Sequence, residues 1–289
     1  MSDGPVCSVA AALARARAMG VDRLDAQLLL ARVLACPRSW LLAHDDAVLD
    51  VDQTLQLHGH LARRADGEPL AYLLGEKEFH GLTLQVNPDV LVPRPDTEVL
   101  VDWAIELLAG KLARFEHPAV VDLGTGSGAI ALAVKNSRPG AGVVGTDNSP
   151  AALVVAGSNA LRLGLDVSLL PGSWWEPLPG QRFHLALSNP PYIAASDLHL
   201  SALRHEPTSA LTPGGDGLDA LRRIVRGAPQ HLLPDGWLLL EHGYDQAEAV
   251  QCLLHDHGFK AVETRRDLGG QPRCTGATLS SPTIAHYPN

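Results

Sequence analysis

A chain of 289 residues with 46% hydrophobic side chains is long enough for two domains or one large one, with enough apolar mass for a true core. Its formal net charge of −9 argues against tight non-specific nucleic-acid binding, which needs a basic surface, and no apolar run approaches the length of a membrane span. Cys7, Cys36, Cys252 and Cys274 lie far apart without metal-ligand or redox-motif spacing, and the first residues lack a basic-then-apolar leader pattern; free thiols in a reducing cytoplasm are the simplest expectation.

Residues 8 to 75 read as a small helical bundle. Ser8 is a candidate N-cap before Val9 to Leu13. Asp22 precedes a second helix in which Leu24, Leu28, Leu29, Val33 and Leu34 recur at helical period. Val51 to Ala65 makes a third, carrying Leu55, Leu57 and Leu61 and ended by Asp66-Gly67. Residues 76–92 alternate polar and apolar through Leu82, Leu84 and Val86, which predicts a two-stranded β-ribbon acting as a linker. From residue 93 to residue 289 helix and strand alternate, the pattern of an α/β doubly wound sheet. Strands are expected near 119–123, 142–146, 166–170, 183–188, 236–241, 259–265 and 273–280, the last two close enough for an antiparallel hairpin. Gly269-Gly270-Gln271 falls between them and reads as the hairpin turn.

The first expected strand, Ala119 to Leu123, runs into Gly124-Thr125-Gly126-Ser127-Gly128 and then into the helix-forming run Ala129 to Val134. Strand, glycine turn and helix in that order open a nucleotide site, because glycines let the backbone approach a ligand where a Cβ would collide. The second strand ends in Asp147, whose carboxylate can accept hydrogen bonds from both ribose hydroxyls. Gly124-x-Gly126-x-x-Ala129 also fits the dinucleotide fingerprint, so an NAD-dependent dehydrogenase has to be weighed. Against it, Asp122 stands just before the glycines, where its charge would repel a diphosphate. Asn189-Pro190-Pro191-Tyr192 ends the apolar run Phe183 to Ser188. Two prolines donate no backbone hydrogen bonds and stop the strand, leaving a rigid turn beside a carboxamide and an aromatic ring. Such a set can grip a planar group bearing NH2: the Asn189 oxygen accepts one N–H, the Pro190 carbonyl the other, and Tyr192 stacks on the plane. The plainer alternatives are a Pro-rich strand cap and a core aromatic. Asp122, the glycines and Asn189 to Tyr192 together favour S-adenosylmethionine as the nucleotide.

With these residues in view the chain resembles the class I S-adenosylmethionine-dependent methyltransferases that act on planar nitrogens. Glu68-Pro69-Leu70-Ala71-Tyr72 with Gly75, Val92-Pro93-Arg94-Pro95-Asp96-Thr97-Glu98, and Leu239-Leu240-Glu241-His242-Gly243 narrow the likeness to the release-factor glutamine methyltransferase family, the HemK/PrmC type. The likeness runs from about residue 66 to 275, while the N-terminal segment agrees only in length and helical character. It implies a seven-stranded Rossmann-like class I methyltransferase sheet with one reversed strand near an edge, joined by the β-ribbon to the helical bundle. It implies S-adenosyl-L-methionine as cofactor, held by Asp122, Gly124, Thr125, Gly126, Ser127, Gly128, Asp147, Trp174 and Asn189. It implies methylation of the glutamine amide in the Gly-Gly-Gln motif of peptide-chain release factors, with Asn189, Pro190 and Tyr192 catalytic and Pro191 also in the substrate site. It makes residues 1–75 a substrate-docking domain, 76–92 the ribbon and 93–289 the methyltransferase domain, although a stabilising cap explains the bundle equally well.

The chemistry needs neither a metal nor a covalent intermediate, because a sulfonium methyl is already activated. The histidine pairs His58/His60 and His255/His257 diverge on a helix and find no third ligand, so no metal site is expected. Leu91 and Val92 are expected to wall the site opposite Tyr192. Either Trp174 or its neighbour Trp175 faces the ligand. Glu241-His242-Gly243 is assigned no role, and Arg94 to Glu98 can be explained as an ordinary helix start. Three other functions share parts of the pattern. They are a ribosomal-protein glutamine methyltransferase, which typically lacks the run at Arg94 to Glu98, a DNA adenine-N6 methyltransferase, which needs a basic channel, and a non-catalytic nucleotide-binding module. The expected partners are release factors, with neither membrane nor direct nucleic-acid binding.

Overall fold

The computed structural model describes residues 7–279, which fall into two compact units divided between Glu76 and Lys77. Ser280, the last residue of the seventh expected strand, lies outside the described residues.

In the first unit, a two-residue strand β1 (Cys7–Ser8) pairs antiparallel with β2 (Val48–Leu49) and brackets helices α1 (Val9–Ala18), α2 (Arg23–Val33) and α3 (Arg38–Leu41). Helices α4 (Val51–Ala65) and α5 (Leu70–Leu74) follow. Each main helix starts where a side chain satisfies an orphan amide: Ser8 caps α1, Asp22 caps α2, and Asp50 with Gln53 forms a reciprocal capping box on α4. Val9, Ala12, Ala16, Leu29, Leu30, Leu57 and Leu61 make a separate core. The leucine stripes differ in detail from expectation: Leu24 and Leu55 are exposed, while α2 buries Leu29 as expected and adds Ala26 and Leu30. On this unit Arg63 pairs with Glu68 and Arg64 with Asp25.

A hairpin, β3 (Glu76–Phe79) and β4 (Leu82–Gln85), begins at the division, and its Phe79, Leu82 and Leu84 enter the core of the second unit. Buried Asn159 donates to the carbonyls of Gln85 and Ser127 and accepts from the Gln85 amide at 2.7 Å. The ribbon is thereby tied to the glycine turn. A 3₁₀ turn at Pro95–Thr97 leads into α6 (Glu98–Ala109). The sheet elements are then β5 (Ala119–Leu123), α7 (Ala129–Ser137), β6 (Gly142–Asp147), α8 (Pro150–Leu163), β7 (Ser168–Pro171) and β8 (Phe183–Ser188). After the short α9 (Thr208–Leu211) come α10 (Asp219–His231), β9 (Leu232–Glu241), α11 (Ala247–Asp256), β10 (Phe259–Arg266) and β11 (Pro272–Leu279).

The seven strands lie in the order β10-β11-β9-β8-β5-β6-β7. All pairs are parallel except those of β11, which runs antiparallel to both neighbours, the reversed strand next to one edge. Helices cover both faces, which is why the central strands are apolar without alternation. Leu185, Leu187 and Leu239 enter one core with Trp103 and Ile130, while Ala186, Leu238 and Leu240 enter the other with Ile224 and Val250. Gly269 and Gly270, the latter at φ +80°, form the β10–β11 turn, where the Asp267 amide donates to the Gln271 carbonyl. No helix among the described residues is long and apolar enough to cross a membrane.

The chain leaves β5 toward β6 and β7 on one side and returns to β8 and β9 on the other. That reversal between β5 and β8 opens a crevice beyond their carboxyl ends, where doubly wound sheets hold ligands.

Candidate active site

A cavity of about 480 Å³ fills that crevice, within the range of small-molecule sites. Its wall includes Gly124, Thr125, Ser127, Asp147, Trp174, Asn189 and Pro191 from the expected set. Asp122, Gly126, Gly128, Pro190 and Tyr192 do not line it and act from behind the wall.

The glycine turn is shaped by backbone need. Gly124, Gly126 and Gly128 have φ of +77°, +54° and +84°, the left-handed region that side chains avoid. A Cβ on Gly124 would stand 3.1 Å from the Trp174 ring. The amides of Gly124 and Thr125 both donate to the Thr146 carbonyl, which binds the turn to the end of β6. Asp147 is then fixed by two backbone amides: Gly126 donates to Oδ2 and Ser149 to Oδ1, each at 2.8 Å. A carboxylate so held keeps its remaining lone pairs directed into the cavity.

Asp122 lies under the turn, fully buried. Its Oδ2 accepts from the Thr125 hydroxyl at 2.7 Å and the Ala131 amide at 3.3 Å, and its Oδ1 has no hydrogen-bond partner. Burial lifts its carboxyl to about 7, against the pull of those two hydrogen bonds and with a further push from Asp147. Trp174 and Trp175 separate cleanly. Trp174 sits on the cavity wall at a positive φ of 51°, its carbonyl held by the Thr146 hydroxyl. Trp175 is buried, donates its indole N–H to the Ile224 carbonyl and stacks on His231. A left-handed backbone at a bulky residue is strain of the kind that accompanies ligand sites.

Asn189 is placed by its neighbours on both sides. The Ser188 hydroxyl donates to the Leu123 carbonyl at 2.6 Å, joining the ends of β8 and β5. The Asn189 NH2 donates to Thr97 Oγ1 at 3.1 Å. Beyond the prolines, the Tyr192 carbonyl accepts from Gln246, and a Cβ on Gly217 would come within 2.3 Å of that oxygen. The Tyr192 ring packs into the core and its hydroxyl donates to Glu241 at 3.3 Å.

The proline-rich run before α6 forms another wall. Leu91, Pro93, Arg94 and Thr97 line the cavity, whereas Val92 is buried behind it. Arg94 pairs with the buried carboxylate of Glu206, which also accepts from the Val92 amide, tying this run to the segment before α9. Asp96 pairs with Arg273, and Glu98 accepts from the His80 amide. Glu241 is fully buried. Burial raises its carboxyl to about 7, opposed by the neighbouring Thr97 hydroxyl, the charge of Arg273 and the Tyr192 hydroxyl, and its Oε2 has no hydrogen-bond partner. His242 donates from Nδ1 to the Gly243 carbonyl and accepts at Nε2 from Thr275, so it is a neutral core histidine whose pKa burial depresses. The lining also includes Asp89, Asp219 and Arg223. Sequence reading assigns none of these three, because no local pattern marks residues that meet only across the fold. Among the described residues no three His, Cys, Asp or Glu side chains are grouped to hold a metal.

The strand order, the glycine turn facing Asp147 and the Asn-Pro-Pro-Tyr corner beside it define a methyltransferase domain of the class I type. Residues 8–75 match the PrmC N-terminal domain family and residues 97–218 the methyltransferase small domain family. A release factor glutamine methyltransferase of Bordetella pertussis is 51% identical over 263 residues, covering 90% of this chain and 96% of that one. One from Xylella fastidiosa is 48% identical, covering 94% and 96%. Among solved structures, a 16S rRNA methyltransferase of T. thermophilus aligns with a TM-score of 0.54 at 21% identity over 71% of this chain and 49% of that one, a likeness of fold alone. The chain belongs to the release factor glutamine methyltransferase family.

Proposed function

We propose that the protein transfers a methyl group from S-adenosylmethionine to the side-chain amide nitrogen of the glutamine in the Gly-Gly-Gln motif of peptide-chain release factors. The observation that carries this reading is Asn189, whose carboxamide stands on the cavity wall with its NH2 engaged by Thr97, leaving its oxygen as an acceptor. The residues present fit the cofactor: glycine backbone clears a face beneath Trp174, and the twice-anchored Asp147 offers lone pairs to a ribose. Gly124, Thr125, Ser127, Asp147, Trp174 and Asn189, which line the cavity, would hold it. Asp122, Gly126 and Gly128 shape the turn from beneath. The sulfonium supplies an activated methyl group.

What remains for the chain is orientation. An amide nitrogen is a weak nucleophile because its lone pair is delocalised into the carbonyl. Asn189 Oδ1, on the cavity wall, accepts an N–H of the glutamine amide, which aims the nitrogen and restricts it to a reactive geometry. The same acceptor stabilises positive charge developing on nitrogen. Tyr192 supports the turn through Glu241. The alkylated nitrogen is acidic and loses its proton without a strong base. A net charge of −9 favours a protein acceptor over a nucleic acid, and the place of action is the cytoplasm, where release factors work. The test is incubation with methyl-labelled S-adenosylmethionine and, separately, a release factor, ribosomal proteins and DNA, followed by mass spectrometry. Label on the Gly-Gly-Gln glutamine is expected. A methyl group found only on another residue or only on adenine rejects the reading.

A further inference from the structure

Pro190 and Pro191 carry no N–H, so the turn after β8 has few amides of its own with which to anchor itself. It must be held from outside, through its carbonyls and side chains. Downstream, the Ile193 amide donates to the Leu211 carbonyl and the Ala195 amide to the Gly215 carbonyl. Tyr192, the last residue of the turn, is held at both ends by the segment that follows the neighbouring strand β9. Its hydroxyl donates to buried Glu241 at 3.3 Å, and its carbonyl accepts from Gln246 Nε2 at 3.0 Å.

Gln246 stands just before α11 and bridges two backbone groups. Its Oε1 accepts from the Gly243 amide at 2.9 Å, and its NH2 is what remains for the Tyr192 carbonyl. A backbone N–H on one side and a backbone C=O on the other have fixed polarity, so they leave the carboxamide one orientation. Gly217 completes the fit. It has a φ of +84°, and a Cβ on it would collide with the Tyr192 carbonyl oxygen and stand 3.0 Å from Gln246 Nε2. We infer that Gln246 is a positioning residue: it carries the direction of the Gly243 amide to the Tyr192 carbonyl and so clamps the Asn-Pro-Pro-Tyr turn, whose Asn189 and Pro191 stand on the cavity wall. The clamp gives the Glu241-His242-Gly243 corner a purpose. Glu241 holds the side chain of Tyr192, and Gly243, through Gln246, holds its main chain. The inference rests on the proposed reaction for its purpose, while the clamp itself needs no substrate.

The test uses the full chain. Gln246→Met keeps the length of the side chain and removes both hydrogen bonds. Gln246→Glu keeps an acceptor for Gly243, but its carboxylate cannot donate to the Tyr192 carbonyl, whereas the protonated acid can. Partial burial and the facing carbonyl oxygen favour that protonated form. Glu241, His242, Asp245 and Arg273 around this corner, and Asp216 with Arg222 beside Gly217, are common to parent and variants, so each rate is taken as a ratio to the parent at the same pH. Gln246→Met is expected to lower the single-turnover rate of methyl transfer to release factor about 10-fold at every pH, with S-adenosylmethionine affinity within about 2-fold of the parent. Gln246→Glu should be as impaired at about pH 8.5 and regain most of the parental rate as the pH falls to about 5, a recovery that a merely structural role would not produce. A second readout needs no acceptor: hydrogen exchange of the Ile193 and Ala195 amides. It should run about 10-fold faster than in the parent in Gln246→Met at every pH, and in Gln246→Glu only at the higher pH. Parental rate or parental exchange in Gln246→Met overturns the clamp, as does a Gln246→Glu ratio that stays flat across that pH range. If the parent protein methylates no release factor while the exchange pattern is as expected, the clamp stands and the proposed substrate fails.

Discussion

Asn189 stands at a strand end with its polar atoms directed at Thr97 and the cavity, so its loss touches chemistry before stability. Asn189→Ala should lower methyl transfer by about 10²-fold or more while leaving cofactor affinity nearly unchanged. Parallel calorimetry and rate measurements check this, and a parental rate would remove Asn189 from the reaction. Asp147→Ala should weaken S-adenosylmethionine binding by about 1–3 kcal/mol, the scale for hydrogen bonds to a charged group. Unchanged affinity would mean that the carboxylate serves the turn alone. Asp122 makes a pH prediction. Its carboxyl rises to about 7 because burial disfavours the charge. In the unfolded chain it ionises near pH 4. Between those values raising the pH ionises the unfolded state but not the folded one, so stability is full at low pH and falls as pH rises toward about 7, by at most about 4 kcal/mol. Buried Glu241 acts in the same direction. Asp122→Asn should flatten the decline in urea-unfolding stability between about pH 4 and about pH 7; an unaltered slope would locate the dependence elsewhere.

Between β5 and α7 the turn depends on backbone conformations that carry no Cβ. Gly124 combines a φ of +77° with a Trp174 ring 3.1 Å from the position of a Cβ. Gly124→Ala should therefore cost about 1–2 kcal/mol through the left-handed backbone, and it should shift Trp174, which a changed tryptophan emission on cofactor titration would report. Gly59 offers the contrast, since it lies exposed inside α4 with nothing within 4 Å of a Cβ. There the same replacement should stabilise by about 0.5–1 kcal/mol. If both changes had the same sign on thermal unfolding, conformational need would not be what sets glycine at 124. The hairpin β3–β4 shows a related limit of local reading. Its alternation identifies a ribbon, but Asn159, 74 residues away from Gln85, fastens it to the sheet unit.

The cavity and every residue assigned to it belong to the second unit, while the first has its own core. We propose that the first unit docks the release factor and takes no part in chemistry. A chain beginning at Lys77 should keep cofactor binding and lose efficiency on an intact release factor, while a short Gly-Gly-Gln peptide should be methylated as well as by the full chain. Full efficiency of a folded truncated protein on the intact factor would end the docking role.

Sequence alone determined the sheet and the chemistry of its edge. Unbroken apolar strands, left-handed glycines, a strand-end aspartate and a strand stopped by two prolines are local constraints on backbone and solvation, legible wherever they occur. Tertiary structure decided which of two adjacent tryptophans faces the ligand. It also set Asp122 and Tyr192 behind the wall and joined Asn189 to Thr97 and Tyr192 to Glu241, hydrogen bonds that span 92 and 49 residues of sequence. No local propensity encodes such contacts, because they arise only when the parallel strands close and carry their carboxyl ends to one edge.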